Sequence, residues 1–321
     1  MKLKIGLDIG GTKCAISTGE CEDGAIKILS REEFPTAGLS WQQVLDEFAR
    51  RIEKFINSST PPLTQSPLLH SSTPPLTTIS AIGISCGGPL DSKRGVIMSP
   101  PNLPGWDDVP VVKFFEDRFH VPTAVQNDAN ACALAEYLYG SGRGAKNMVF
   151  MTFGTGLGAG IVIDGKLYSG ANDNAGEIGH IRLSPTGPVG YNKAGSAEGF
   201  CSGAGIARLA KIRKGLDLTT KEIFARVRAG DPDCTEVFRE SAEKLAAILA
   251  FTIDILNPEV IALGGVFMRN ADLFMSIVDP ILNREALPLA RKVCRIVPAE
   301  LGENIGDYAA LAVAGDVGLK R

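Results

Sequence analysis

The sequence predicts an α/β protein organised in two lobes, and three observations carry that reading. Three short apolar runs separated by glycine-bearing turns open the chain and pass into alternating helix and strand patterns. A second strand pair near residues 148–163 leads into a helical stretch with a further strand and helix behind it. At 321 residues and 45% hydrophobic content, the chain can bury two cores of ordinary size. The expected first lobe is residues 1–125, with a C-terminal helix at 304–321 packing back on it, and the second is 126–303. Two lobes imply a cleft between them.

Each element follows from local pattern. Residues 3–8, 14–18 and 25–32 read as strands of an antiparallel meander. Ser40 suits the N-cap of a helix in which Val44, Leu45, Phe48, Ile52, Phe55 and Ile56 recur at helical spacing. Ser-Ser-Thr-Pro-Pro-Leu-Thr then occurs twice, at 58–64 and 71–77, so residues 58–78 are expected to form an exposed proline-rich insertion, His70 included. A strand at 79–85, a helix near 111–119 and a strand at 123–126 complete the order βββαβαβ. A helix from Asp128 to Tyr139 follows, then strands near 148–153 and 159–163, helices over 203–256, a strand at 260–263 and an alanine-rich helix at 305–318.

Bulk composition excludes several function classes. A formal charge of −3 and a pI near 5.8 give no electrostatic reason to expect nucleic acid or an anionic membrane as partner. The seven cysteines are scattered without a C-x-x-C pair, so neither a disulfide framework nor a zinc finger is written here. No apolar run is long and uncharged enough for a signal peptide or a membrane span, and the expected location is the cytoplasm.

The chemistry concentrates in a few segments. Gly176-Glu177-Ile178-Gly179-His180 joins a carboxylate and an imidazole in a chain with only three histidines. Such a pair suits sugar hydroxyls, because a carboxylate accepts from two neighbouring hydroxyls and an imidazole donates or accepts one more. The pair also reads as loop residues satisfied by backbone. Asp8 ends a strand ahead of Gly10-Gly11-Thr12, where backbone N–H groups and a hydroxyl can meet phosphate oxygens while the carboxylate holds magnesium, directly or through water; a plain hairpin turn is the alternative.

Gly154-Thr155-Gly156-Leu157-Gly158-Ala159 formally matches the dinucleotide fingerprint G-x-G-x-x-A, but residues 159–165 read as a strand and turn where that fingerprint needs a helix. It serves either as a second phosphate loop or as a tight hairpin. Asp128, after Asn127 at a strand-to-helix junction, can cap its helix or accept the proton of a sugar hydroxyl attacking a γ-phosphate. Glu198 precedes a helix and can compensate its N-terminal charge or serve as a second acid. Gly264-Gly265 either lets adenine lie against the backbone or starts the next helix.

With these segments together, the chain resembles the ROK family of sugar kinases and repressors, within the actin-like ATPase superfamily, over nearly its whole length. The resemblance implies a two-lobed actin-like, ribonuclease H-like fold with its ligands in the cleft. It implies that Asp8, Gly10, Gly11, Thr12 and Lys13 contact the phosphates and magnesium of ATP, that Gly154, Thr155, Gly156 and Gly158 form the second phosphate loop, and that Gly264 and Gly265 border the adenosine. Asn127, Glu177, His180 and Glu198 would hold a hexose, with Gly88 and Asn102 on lining loops and Asp128 as base for the 6-hydroxyl. Homo-oligomers, dimers or tetramers, are expected.

One departure is plain. Family members usually follow the histidine with three clustered cysteines that bind structural zinc with it, whereas residues 187–196 contain none. No zinc is therefore expected, and another group of that loop must orient His180.

The leading expectation is an ATP-dependent hexose kinase, with glucose first and N-acetylmannosamine or N-acetylglucosamine next. A ROK-type sugar-responsive transcriptional regulator is the alternative. Such regulators carry a helix-turn-helix segment ahead of the first strand, and this acidic chain starts almost on that strand. A filament-forming actin relative would have no use for Glu177 and His180.

Overall fold

The computed structural model describes residues 2–22, 25–58 and 78–319, so the proline-rich insertion expected at 58–78 lies, but for its end residues, outside the described residues. The chain divides into two compact units, residues 1–138 with 304–321, and residues 139–303.

In the first unit, β1 (Lys2–Ile9), β2 (Lys13–Glu22) and β3 (Ala25–Pro35) form the meander, and α1 (Trp41–Ser58) leads to β4 (Thr78–Cys86). A small hairpin, β5 (Leu90–Asp91) and β6 (Val96–Ile97), precedes α2 (Val111–Phe119), β7 (Thr123–Asn127) and α3 (Asp128–Tyr139). The sheet order is β3-β2-β1-β4-β7, antiparallel across the meander and parallel from β1 through β4 to β7. Ser40 caps α1 in a reciprocal box: its hydroxyl accepts from Gln43 N at 3.3 Å, and Gln43 Oε1 accepts from Ser40 N at 2.8 Å. Val44, Leu45, Phe48 and Ile52 are fully buried on one face of that helix, where Phe48 meets Phe34 and Phe115 edge-on.

The second unit holds β8 (Met148–Phe153), β9 (Leu157–Ile163) and β10 (Lys166–Tyr168), a 3-10 turn at Ile178–His180, and a short hairpin of β11 (Val189–Gly190) and β12 (Lys193–Ala194). Then come α4 (Ala197–Phe200), α5 (Gly203–Lys214), α6 (Thr220–Arg228), α7 (Pro232–Leu256), β13 (Val260–Leu263), α8 (Gly265–Arg269), α9 (Ala271–Glu285), α10 (Pro288–Val293) and β14 (Arg295–Pro298). Its sheet order, β10-β9-β8-β13-β14, repeats the scheme of the first: three antiparallel strands, then two parallel ones reached by helical crossovers. Phe274 is the centre of its core, with the rings of Phe153, Phe224, Phe238 and Phe267 all within 5.7 Å.

The last helix, α11 (Ile305–Leu319), belongs to the first unit and lies on its sheet. Gly6 of β1 and Gly83 of β4 are paired across the strands. A Cβ on Gly83 would overlap Ala310 O, and one on Gly6 would stand 3.0 Å from Ala310 Cβ. Glycine on the sheet and alanine on the helix therefore set the closeness of this contact. The same contact explains a difference from the sequence reading, which ends the second strand at Thr18. The structure carries β2 on to Glu22 through a register shift between Thr18 and Gly19, where Leu311 packs over the glycine. The first unit also runs to Leu138, past the boundary expected at 125, because α3 continues directly from the edge strand β7 with no linker between them.

Candidate functional site

In the first unit, strand register brings the predicted residues to one sheet edge. Asp8 pairs with Ser85 and Ile9 with Cys86 on β4, while Cys86 pairs with Asn127 on β7. Asp8 and Asp128 thus stand at the C-terminal ends of parallel strands, the edge at which open α/β sheets bind ligands. Burial pushes the Asp8 carboxyl up to about 6, reinforced by the charges of Asp128 and Asp307 and opposed by Arg31 and Lys13. Asp307, in the first turn of α11, is itself held by Ser17 Oγ and Arg31 Nε, both at 2.7 Å.

Asn127 and Asp128 share the junction. Asn127 Oδ1 accepts from Ala129 N at 3.0 Å and supplies a cap to α3. Asp128 Oδ1 accepts from the same N–H at 2.7 Å. The Asp128 side chain reaches solvent, yet the surrounding protein desolvates it enough to raise its pKa, with the Ala129 N–H pulling the other way.

The turn joining β1 to β2 holds Gly10, Gly11 and Thr12, and neither glycine has a positive φ. The glycines answer a demand for space. A Cβ on Gly10 would stand 2.6 Å from Lys13 O, and one on Gly11 would overlap the backbone oxygen of Asn102. Asn102 also faces Gly87, and Asn127 Nδ2 lies 3.1 Å from where a Cβ of Gly88 would be. Asn102, Gly88 and Asn127 are therefore gathered around the same turn as Asp8 and Asp128. Thr36 fixes the turn by donating to Gly10 O at 2.7 Å, and Lys13 pairs with Glu33 at 2.6 Å.

In the second unit, Gly154, Thr155 and Gly156 form the β8–β9 connection, and the strand after it excludes the dinucleotide fold that the glycines mimic. Gly154 and Thr155 are exposed, and a Cβ on Gly154 would meet nothing within 4 Å. Gly154 O accepts from Gly203 N at 2.7 Å, at the start of α5. Gly265 has φ +57°, and a Cβ there would overlap Phe153 O, so this glycine brings the start of α8 against the same loop. Gly264 is the N-cap residue of α8 and donates to Met151 O at 3.0 Å. Gly158 N donates to Thr152 Oγ1 at 2.8 Å.

Glu177 precedes the 3-10 turn and His180 ends it; both are exposed, with buried Gly179 between them. A Cβ on Gly179 would overlap Leu157 O, so the turn lies directly on β9. Glu198, in the first turn of α4, reaches back to accept from Leu157 N at 3.2 Å, and its Oε2 lies 2.7 Å from where a Cβ of Gly156 would be. Glu198 thereby lies between the glycine loop, which its carboxylate holds, and the Glu177–His180 turn, where a Cβ on Gly179 would stand 3.3 Å from the Glu198 Cβ. Residues 187–196 form the β11–β12 hairpin, whose Tyr191 ring meets the His180 ring edge to face at 6.0 Å.

Sequence reasoning missed a cavity of about 570 Å³ beside Gly265, lined by Thr220, Lys221, Phe224, Arg228, Val266 and Arg269 among others. The Thr219 and Glu222 capping box announces α6, but nothing in the sequence says which face of that helix stays open. Among the described residues, no helix is long and apolar enough to cross a membrane, and no group of three His, Cys, Asp or Glu side chains is arranged to hold a metal ion. All seven cysteines lie among the described residues, and none forms a disulfide.

Two sheets of the same strand order, each with a glycine hairpin at its first turn, define the actin-like ATPase class of α/β proteins. The ROK family model matches residues 4–316, and the chain belongs to the ROK family. It is similar to the glucokinase of Streptomyces coelicolor, with 31% identity over 98% of each chain. It is also similar in structure to a ROK hexokinase from Thermus thermophilus, with a TM-score of 0.83, 28% identity, and 99% of this chain and 100% of that one covered. A ROK family glucokinase from Streptomyces griseus, solved with glucose and AMPPNP, gives a TM-score of 0.74 and 29% identity over 98% of this chain and 99% of that one.

Proposed function

We propose that this protein phosphorylates a hexose at its 6-hydroxyl with ATP, glucose being the first candidate. The observation that carries the reading is the pair Asp8 and Asp128 at the C-terminal edge of one sheet, ringed by the Gly10–Thr12 turn, Asn102 and Asn127. Their roles divide by surroundings. Asp128, solvent-reachable and raised in pKa, accepts the hydroxyl proton as the sugar oxygen attacks γ-phosphorus and the bond to the β-phosphate oxygen breaks.

Asp8 is a crowded carboxylate whose pKa the charges of Asp128 and Asp307 help to raise, and a divalent cation bound at it would relieve that crowding. Magnesium fits there, because it takes one or two carboxylates and fills its remaining positions with phosphate oxygens and water. When bound, it supplies charge neutralisation on the phosphates. Gly10, Gly11, Thr12 and Lys13 bind phosphate oxygens, as do Gly154, Thr155, Gly156 and Gly158. Gly264, Gly265 and the cavity lined by Thr220, Phe224 and Val266 take the adenosine. Asn127, Glu177, His180 and Glu198 hold the sugar hydroxyls, with Gly88 and Asn102 bordering them.

The reading includes a cytoplasmic homo-oligomer without zinc; stoichiometric zinc in purified protein contradicts the last point. A coupled ADP-release assay over hexoses and acetamido sugars tests the whole. Turnover of glucose supports it, and preference for N-acetylmannosamine or N-acetylglucosamine shifts the substrate. No turnover together with specific retardation of genomic DNA fragments replaces it with a regulator. Asp128→Asn is expected to lower kcat by about 10²- to 10⁴-fold while sugar still binds; retained turnover removes Asp128 as the base.

A further inference from the structure

His180 stands exposed at the end of its 3-10 turn, and an exposed side chain keeps its rotamer freedom unless something packs against it. The β11–β12 hairpin is what packs against it. Tyr191 and Asn192 are the two central residues of this hairpin, with φ of +43° and +61°, as a type I′ turn requires. Asn tolerates that region, but a bulky aromatic is rarely found there. Such a backbone persists only where its surroundings over-determine it, and it points to a task for the side chain.

The surroundings do over-determine it. Arg208 of α5 donates to Val189 O, and Arg182 donates to Ala194 O at 2.6 Å, so one cation holds the carbonyl of each hairpin strand. Ser196 Oγ donates to Gly190 O at 3.2 Å. A Cβ on Gly190 would stand 2.5 Å from Gly199 N and 2.8 Å from Glu198 Cβ, so the hairpin sits directly on α4. On this base Tyr191, itself 62% exposed, sets its ring at 80° to the His180 ring, and Lys193 Nζ donates to His180 O at 2.8 Å. The histidine is gripped at ring and backbone by two residues that flank Asn192.

We propose that Tyr191 and Lys193 are positioning residues for His180: the strained turn aims the tyrosine ring at the imidazole, the lysine pins the backbone beneath it, and neither contacts the sugar. The proposal rests on the reading of His180 as a sugar ligand.

Tyr191→Gly separates positioning from folding, since glycine relaxes the strained φ while deleting the ring. The variant is expected to unfold no more easily than the unaltered protein, yet to raise KM roughly 3- to 10-fold for the sugar turned over in the panel assay, with KM for ATP unchanged. Tyr191→Phe, which keeps the ring, restores the original value. In a His180→Ala background, Tyr191→Gly adds nothing. An unchanged sugar KM in Tyr191→Gly, where His180→Ala raises it, overturns the proposal, as does an equal rise in both backgrounds. A sugar KM unmoved by His180→Ala sinks the sugar reading itself. A second measurement needs no substrate: the imidazole C–H resonances of His180, assigned by their loss in His180→Ala, should shift in Tyr191→Gly and hold in Tyr191→Phe. Unmoved resonances in the glycine variant overturn the proposal.

Discussion

Asp8 lies at the end of β1 and Asp128 immediately after β7, two strands away on the same parallel edge, and the charge of Asp128 helps to hold the Asp8 carboxyl near 6. The folded protein therefore binds a proton at Asp8 more tightly than the unfolded chain does, whose Asp titrates near 3.8. The stability linked to this group is fully present below pH 3.8 and is lost as pH rises through about 6. Asp8→Asn should stabilise the ligand-free protein above pH 6 by up to about 3 kcal/mol, and the gain should vanish by about pH 4. Thermal midpoints of both proteins across that range test it; a constant gap contradicts it.

Phosphoryl transfer gives a second readout of the same carboxyl. Magnesium and a proton compete for Asp8, so the acid limb of kcat/KM for ATP should move to lower pH as magnesium is raised. An acid limb that ignores magnesium would separate Asp8 from the metal.

The parts of this site legible in the sequence are those whose chemistry and local geometry coincide. Asp8 before Gly10-Gly11, and Asn127-Asp128 at a strand-to-helix junction, announce themselves because the residues that act also turn the chain. The central strands were legible as apolar runs, and α1 from its spacing and its Ser40 cap. The β11–β12 hairpin was not. Its strands are two residues long, too short for alternation to register, and its Tyr191-Asn192 turn lacks the Asn-Gly signature. Nor does any local pattern tell that Arg182 and Arg208 will end on hairpin carbonyls, since an exposed arginine on a helix or loop reads the same whatever it reaches.

The seat of α11 predicts a large cost for one methyl group. Gly83→Ala would drive its Cβ into the backbone of Ala310 and Ala314, atoms of a helix that cannot yield singly. Destabilisation of roughly 3 kcal/mol or more is expected, a lowering of Tm by several degrees. Gly6→Ala, which meets Ala310 Cβ at 3.0 Å, should cost less. Equal and small losses in both would mean that the helix does not depend on this contact.

Two glycines of the second unit should respond in opposite ways. Gly154 has open space where a Cβ would stand and no positive φ, so Gly154→Ala should leave stability within about 0.5 kcal/mol. If that space receives phosphate oxygens, KM for ATP should rise about tenfold, or about 1.4 kcal/mol of binding. Gly265→Ala combines a left-handed φ with a backbone overlap and should lose stability first. Steady-state kinetics beside melting curves distinguish the two. An ATP KM untouched by Gly154→Ala removes this loop from the nucleotide site.

Glu198 links two tasks through one carboxylate, and substitution can part them. Its Oε2 accepts from Leu157 N, holding the glycine loop, while its charge serves the sugar in the proposed reading. Glutamine keeps a carbonyl acceptor for the Leu157 amide and discards the charge. Glu198→Gln should therefore raise sugar KM about tenfold and leave KM for ATP near its original value, because a neutral acceptor holds hydroxyls less well than a charged one. Alanine removes the acceptor too and leaves the Leu157 N–H without this partner, so Glu198→Ala should raise both constants. Equal ATP KM values in the two variants would show that the 3.2 Å bond does not shape the loop, and the carboxylate would then belong to the sugar alone.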